Sequence, residues 1–237
     1  MKRLDKLLSD AGVDGRRALK DLIKSGRVAV NGVTAKKADE KFDENTVTIT
    51  VDGQEIDLHT LVYYMLYKPE GVVSATEDSQ EKTVLDLLPE NLQRKGLFPV
   101  GRLDKDTTGI LLLTNDGDYA HKIISPKSHV DKRYRAVTDG ITNESDVKAF
   151  REGIELRDGT KCLPAKLEIT GTEVCYVTVV EGKYHQVKRM LASRLKPVQQ
   201  LHRCSIGGLK LDENLAPGQY RALTAEEQKL ALVKMTL

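Results

Sequence analysis

The stretch Thr107-Thr108-Gly109-Ile110-Leu111-Leu112-Leu113-Thr114 constrains the fold more than any other part of this chain. A charged turn precedes it (Gly101-Arg102-Leu103-Asp104-Lys105-Asp106) and Asn115-Asp116-Gly117 follows it. A short, solidly apolar run between turn formers reads as a buried strand. Asp104 then sits just before a rigid element, where its backbone is anchored and its carboxylate can be held in a cleft. Taken alone, Asp104 and Asp106 are equally ordinary turn residues, because Asp side chains readily bond turn backbone.

Other strand signals surround this one. Leu61 to Tyr67 is an apolar strand halted by Lys68-Pro69-Glu70-Gly71, since proline cannot donate to a central ladder. Lys132 to Val137, Val174 to Val180 and Leu201 to Ile206 are β-rich, whereas Glu144 to Glu152 and His185 to Arg194 have helical character. The pattern predicts the α+β class, with a mixed α+β body on an antiparallel or mixed sheet.

Charge divides the chain. Residues 1–41 hold eleven Lys/Arg and six Asp/Glu, a net +5, so the remainder carries −3 of the overall +2. A basic module on a mildly acidic body is the asymmetry of an appended nucleic-acid grip. Inside the module Leu4, Leu7 and Leu8 recur at helical spacing, and a helix from about Arg16 to Ser25 buries Leu19, Leu22 and Ile23. Arg16, Lys20, Lys24 and Arg27 fall within an arc of about 80° at 100° per residue. That stripe is either a solvated face or a phosphate contact. Gly26 caps the helix. Arg27 to Val33 reads as a hairpin around Asn31-Gly32. Val47 to Val51 is strand-like and the residues after it are mostly polar. The expected domains are residues 1–48, a linker 49–60, and a larger domain 61–237.

Several function classes find no support. No standard Gly-rich phosphate loop appears, which argues against nucleotide cofactors. His59, His121, His129, His185 and His202 are scattered, and Cys162, Cys175 and Cys204 have no metal-ligand spacing, so neither a metal site nor a disulfide frame is expected. No apolar run approaches the roughly 20 residues that span a bilayer, and the N-terminus lacks an apolar signal core. A cytoplasmic location with reduced thiols is the expectation.

The segment Gly101 to Gly117 resembles the signature of the pseudouridine synthases that modify ribosomal RNA. In that family the Asp of Gly-Arg-Leu-Asp is catalytic, which implies Asp104. Lys132-Arg133-Tyr134-Arg135-Ala136-Val137 matches the strand whose Tyr stacks on the target uracil, implying Tyr134. Val179 to Leu191 contains the family's Gln-Val-Lys/Arg motif, whose first basic residue pairs with the catalytic Asp, implying Lys188. Arg102 would fill the space of an extruded base or meet a neighbouring phosphate. Residues 1–48 are similar to the S-four-type RNA-binding domain, through Arg3-Leu4-Asp5-Lys6-Leu7-Leu8 and Gly26-Arg27-Val28-Ala29-Val30-Asn31-Gly32. The RNA-binding residues implied are Arg3, Arg16, Arg17, Lys20, Lys24 and Arg27.

The resemblance implies isomerisation of a flipped-out uridine, without net redox or hydrolysis, and therefore no cofactor. Lys183 to Met190 and Leu201-His202-Arg203 look most like the small-subunit branch, with the large-subunit branch as the alternative. The implied partner is ribosomal RNA or a ribosomal assembly particle, met by a monomer and not at a membrane. Two rival classes remain in view. A silent RNA-binding protein would have no reason to keep Asp104, Tyr134 and Lys188 together, and a nucleoside hydrolase would want a water-activating cluster that is not visible.

Overall fold

The computed structural model describes residues 1–234 apart from 12, 14–15, 59–60 and 94, with Arg16, Arg17 and Asn91 described through their backbone only. It divides into two compact units, Met1–Val62 with Leu88–Phe98, and Tyr63–Leu87 with Pro99–Leu237.

In the first unit β1 (Lys2–Arg3) leads into α1 (Leu4–Asp10) and α2 (Arg16–Lys24). Then come β2 (Val28–Val30), β3 (Val33–Thr34), β4 (Lys41–Phe42), β5 (Ile49–Val51) and β6 (Gln54–Glu55), and the second segment adds α3 (Glu90–Gln93). The helical spacing of Leu4, Leu7 and Leu8, and of Leu19 and Ile23, turns one stripe of each helix inward. These side chains bury against Val28 and Ile49, each such burial contributing roughly 1.5–3 kcal/mol. The β2–β3 turn has positive φ at both Asn31 (48°) and Gly32 (79°), the geometry that matches strand twist in a tight hairpin.

The first sheet runs β3-β2-β5-β6. Ile49 pairs with Val30 and Val51 with Val28, while β6 extends the edge. Ile49–Val51 and Gln54–Glu55 are therefore strands joined by a turn at Asp52-Gly53, within the span expected as a linker over 49–60. The physical reason is Ile49, fully buried in the small core and locking its strand in register.

The second unit contains β7 (Tyr63–Lys68), β9 (Thr107–Thr114), α4 (Gly117–Ile124), β10 (Lys132–Thr138), α5 (Glu144–Glu152), β11 (Lys166–Ile169) and β12 (Val174–Val179). It continues with α6 (Gln186–Ser193), β13 (Val198–Ile206), β14 (Leu209–Lys210), β15 (Tyr220–Ala222) and α7 (Ala225–Leu230). β8 (Phe98–Pro99) falls where the residue ranges of the units meet. The strand order is β11-β12-β10-β13-β9-β7-β15, with β14 on β13. β9 and β13 pair in parallel, whereas β7 with β9, and β10 with both β12 and β13, are antiparallel. The sheet is mixed.

β9 lies inside this sheet, and Ile110, Leu111, Leu112 and Leu113 are each at most 1% exposed. Gly109 admits the parallel neighbour: a Cβ on it would sit 2.2 Å from the Arg203 carbonyl oxygen. Phe150 of α5 and Val187, Met190 and Leu191 of α6 bury against Ala136, Val177 and Leu201 of the sheet. The Asn115-Asp116-Gly117 turn opens a helix: Asp116 caps α4 by accepting from Tyr119 N at 3.0 Å.

Candidate active site

The loop between Gly101 and Asp106 is fastened through its backbone. Val100 N donates to Leu112 O of β9 at 2.8 Å, and Thr107 N closes a turn onto Asp104 O at 3.0 Å. Ser74 bonds Leu103 twice, its hydroxyl donating to Leu103 O at 2.8 Å and accepting from Leu103 N at 3.0 Å. Lys68, at the end of β7, is fully buried. Its ammonium donates to Pro69 O (3.0 Å), Lys105 O (3.3 Å) and Thr107 O (2.9 Å). Burial pushes its pKa down to about 8, although the charges of Asp106 and Asp104 oppose that. A loop held at so many points can hold a carboxylate still.

Asp104 points toward α6. Lys188 Nζ lies 3.1 Å from Asp104 Oδ2 and 2.5 Å from Asp106 Oδ1. Burial alone would lower the Lys188 pKa, but the hydrogen bonds it donates to Asp106 and Asp104 outweigh it and the value rises above its ordinary 10.5. The same bond to Lys188 holds Asp106 below the usual carboxylate range. The resemblance implied only the Asp104 partnership, so Asp106 is an addition. His185, at the N-cap of α6 with φ of 47°, places Nε2 3.4 Å from Asp104 Oδ1 and stacks on Tyr184 with ring centres 3.8 Å apart. Buried Gln186 sets this bend by donating to Glu181 at 2.7 Å and accepting from Lys183 N at 3.0 Å.

Asp104, Arg102 and Tyr134 line one cleft of about 740 Å³, together with Lys132, His185 and Arg203. Arg102 is exposed and Tyr134 half-buried on β10. Lys132 donates to Ile123 O (3.0 Å) and Val130 O (2.6 Å), and burial, then the charge of Arg203, pushes it down to about 8. In the sequence Lys68 and Lys132 look like further cations at the edges of β-rich runs, and Arg203 stands out only as part of the Leu201-His202-Arg203 branch motif, with no role at the site.

In the first unit the implied RNA-binding residues divide. Lys20 and Lys24 are exposed on α2. Arg27 is held by Asp52 through Nε (2.8 Å) and Nη2 (2.5 Å), and Arg3 by Asp5 at 3.0 and 2.7 Å. The stripe carries no acid at its own positions, but the β5–β6 turn brings Asp52 onto its end. The side chains of Arg16 and Arg17 lie outside the described residues.

The RNA pseudouridylate synthase family matches residues 62–193, and the S4 domain matches residues 2–47. The chain is 46% identical over 232 residues to an uncharacterized RNA pseudouridine synthase of Bacillus subtilis, covering 96% of this chain and 97% of that one. It is 45% identical over 227 residues to ribosomal small subunit pseudouridine synthase A of Vibrio cholerae, covering 95% and 97%. A crystal structure of a pseudouridylate synthase aligns with a TM-score of 0.71 at 36% identity, covering 98% of this chain and all of that one.

Proposed function

Because the chain belongs to the RNA pseudouridylate synthase family, we propose that it converts one uridine of small-subunit ribosomal RNA to pseudouridine, with Asp104 as the catalytic residue. The observation that carries the catalytic part is the fastened Asp104 loop at a cleft, with Lys188 3.1 Å from the carboxylate. The reaction breaks the bond from ribose to N1 of uracil, turns the base and rejoins it through C5, so what it needs is positioning and exclusion of water. Tyr134 offers a flat face to the base, a contact worth about 1–3 kcal/mol. Lys188 supplies the opposing charge beside Asp104. Arg102, exposed at the rim, takes the place of the extruded base or contacts a phosphate.

The small-subunit target is supported by the relatives of that name, each matched over nearly its whole length. The basic module supports RNA as the partner, through Lys20 and Lys24 above all. We read the protein as a cytoplasmic monomer acting on this RNA or on an assembly particle that contains it; among the described residues no helix is long and apolar enough to cross a membrane. The test is incubation with uridine-labelled ribosomal RNA. Pseudouridine in small-subunit RNA is the expected product. Pseudouridine only in large-subunit RNA would move the target, free uracil would mean hydrolysis, and neither would leave an RNA-binding protein.

A further inference from the structure

Arg203 is only 4% exposed, yet it lines the cleft and not the back of the sheet. Simple strand alternation would not place it there. Ile206 of the same strand also lines the cleft, and counting back by twos would turn Cys204 inward and Arg203 outward. The β10–β13 register shifts between Arg133 and Tyr134: Arg133 pairs with Ser205 but Tyr134 pairs with Arg203, so Cys204 is an extra residue. A bulge of this kind re-aims the neighbouring side chain. It sets the Arg203 guanidinium 6.0 Å from the centre of the Tyr134 ring.

The Arg203 Nε donates to Ile110 O at 2.8 Å. Its Nη2, buried as well, has no hydrogen-bond partner among the described residues. Buried donors are nearly always paired, and an unpaired one beside a cleft calls for an acceptor from outside the protein.

Resting on the uridine-isomerising reading above, we propose that Arg203 contacts the substrate: Nη2 donates to a carbonyl oxygen of the target uracil and holds the base while it is detached. When the N1–C1′ bond breaks, its electron pair stays on the base, and the negative charge spreads over N1 and the two carbonyl oxygens. The base turns and C5 forms the new bond to C1′. The proton lost from C5 is matched by the one gained at N1, so no further reactant enters. Tyr134 fixes the plane of the ring, and Arg203, opposite it, fixes an edge. A fixed cation against a charge that exists only between bond breaking and bond making accelerates the reaction, whereas equal contact throughout would only tighten binding.

Thio-substituted RNA tests this. A small-subunit RNA fragment is ligated with uridine, 2-thiouridine or 4-thiouridine at the mapped target, and single-turnover rates are measured for wild type and Arg203→Met. Sulfur accepts hydrogen bonds poorly, so substitution at the contacted carbonyl should slow wild type about 10-fold or more, as for a weakened charge-assisted bond. In Arg203→Met the rate should already be reduced, and sulfur at that carbonyl should add no more than about twofold beyond its effect at the other. The intrinsic effect of sulfur on the base is common to both enzymes and cancels. Arg203→Gln, which removes the charge but keeps a polar side chain, carries the same comparison if Arg203→Met does not fold. Equal sulfur penalties in wild type and variant, or a wild-type rate in either variant, would overturn the assignment while leaving the isomerisation intact. No pseudouridine from wild type with the oxygen substrate would overturn both.

Discussion

The Lys188 ammonium lies 3.1 Å from the Asp104 carboxylate, across the short span between the start of α6 and the loop that enters β9. It lies closer still, at 2.5 Å, to Asp106, so one cation serves two acids from a single turn. Lys188→Met should lower the single-turnover rate by at least about 10²-fold, the scale on which charge placed at a reacting centre acts. Its effect on stability should be small, about 1 kcal/mol or less, because Asp106 is 65% exposed and the pair is wet. Asp106→Asn should keep most of the activity. A Lys188→Met enzyme with the wild-type rate would show that the pair has no part in the chemistry.

The same pair fixes a pH dependence. Asp106 is held below its ordinary pKa, so its contribution to stability is full above that ordinary value and fades as pH falls through the lowered one. Lys188 is raised, so its contribution holds below 10.5 and is lost as pH climbs through the folded-state value. Lys68 acts in the opposite sense. Its folded pKa of about 8 lies below its ordinary 10.5, so between those values the unfolded chain holds a proton that the folded one has released, and stability rises with pH. Urea unfolding between pH 8 and 10 should show a steeper rise for wild type than for Lys68→Met. Parallel profiles would mean that Lys68 titrates normally when folded.

Much of this arrangement was legible in the chain, and the exceptions have physical causes. The β9 run, the Asn31-Gly32 hairpin and the helix after Gln186 announce themselves through short-range patterns, and all three elements form there. Asp116 ahead of Tyr119, Ala120 and Ile123 also carried a cap-and-helix signal that was readable as such, although Asn-Asp-Gly looked like a plain turn. The strand at Gln54–Glu55 gave no sign because a two-residue polar edge has no alternation to display. Lys68 and Arg203 were opaque for another reason. Their burial is decided by strands distant in sequence, Arg203 lying against Gly109 across the parallel β9–β13 ladder, and the bulge at Cys204 breaks the alternation that would have located the side chain.

Gly109 is a point where the fold leaves no freedom. With φ of 110° and its virtual Cβ 2.2 Å from Arg203 O, Gly109→Ala should destabilise by about 3 kcal/mol, the upper end for overpacking with added backbone strain. Thermal unfolding reads this directly. A melting temperature equal to wild type would mean that β9 and β13 separate without cost.

The first unit supplies a salt-dependence test. Lys20→Ala and Lys24→Ala should each reduce the slope of log affinity against log salt by about 0.7 to 0.9, if each meets a phosphate. Arg27→Ala should change it less, since Asp52 already engages the guanidinium. Equal slopes for wild type and the double Lys variant would make the stripe a solvated surface.

On the function proposed above, pseudouridine formation at one site of small-subunit ribosomal RNA depends on Asp104. The most direct measurement is single-turnover modification of that RNA by wild type and Asp104→Asn, mapped by carbodiimide-dependent primer extension. One stop is expected with wild type, and none with a folded, RNA-binding Asp104→Asn protein slowed by at least about 10⁴-fold, the scale of removing a central catalytic group. Asp104→Asn activity within about tenfold of wild type would contradict that dependence.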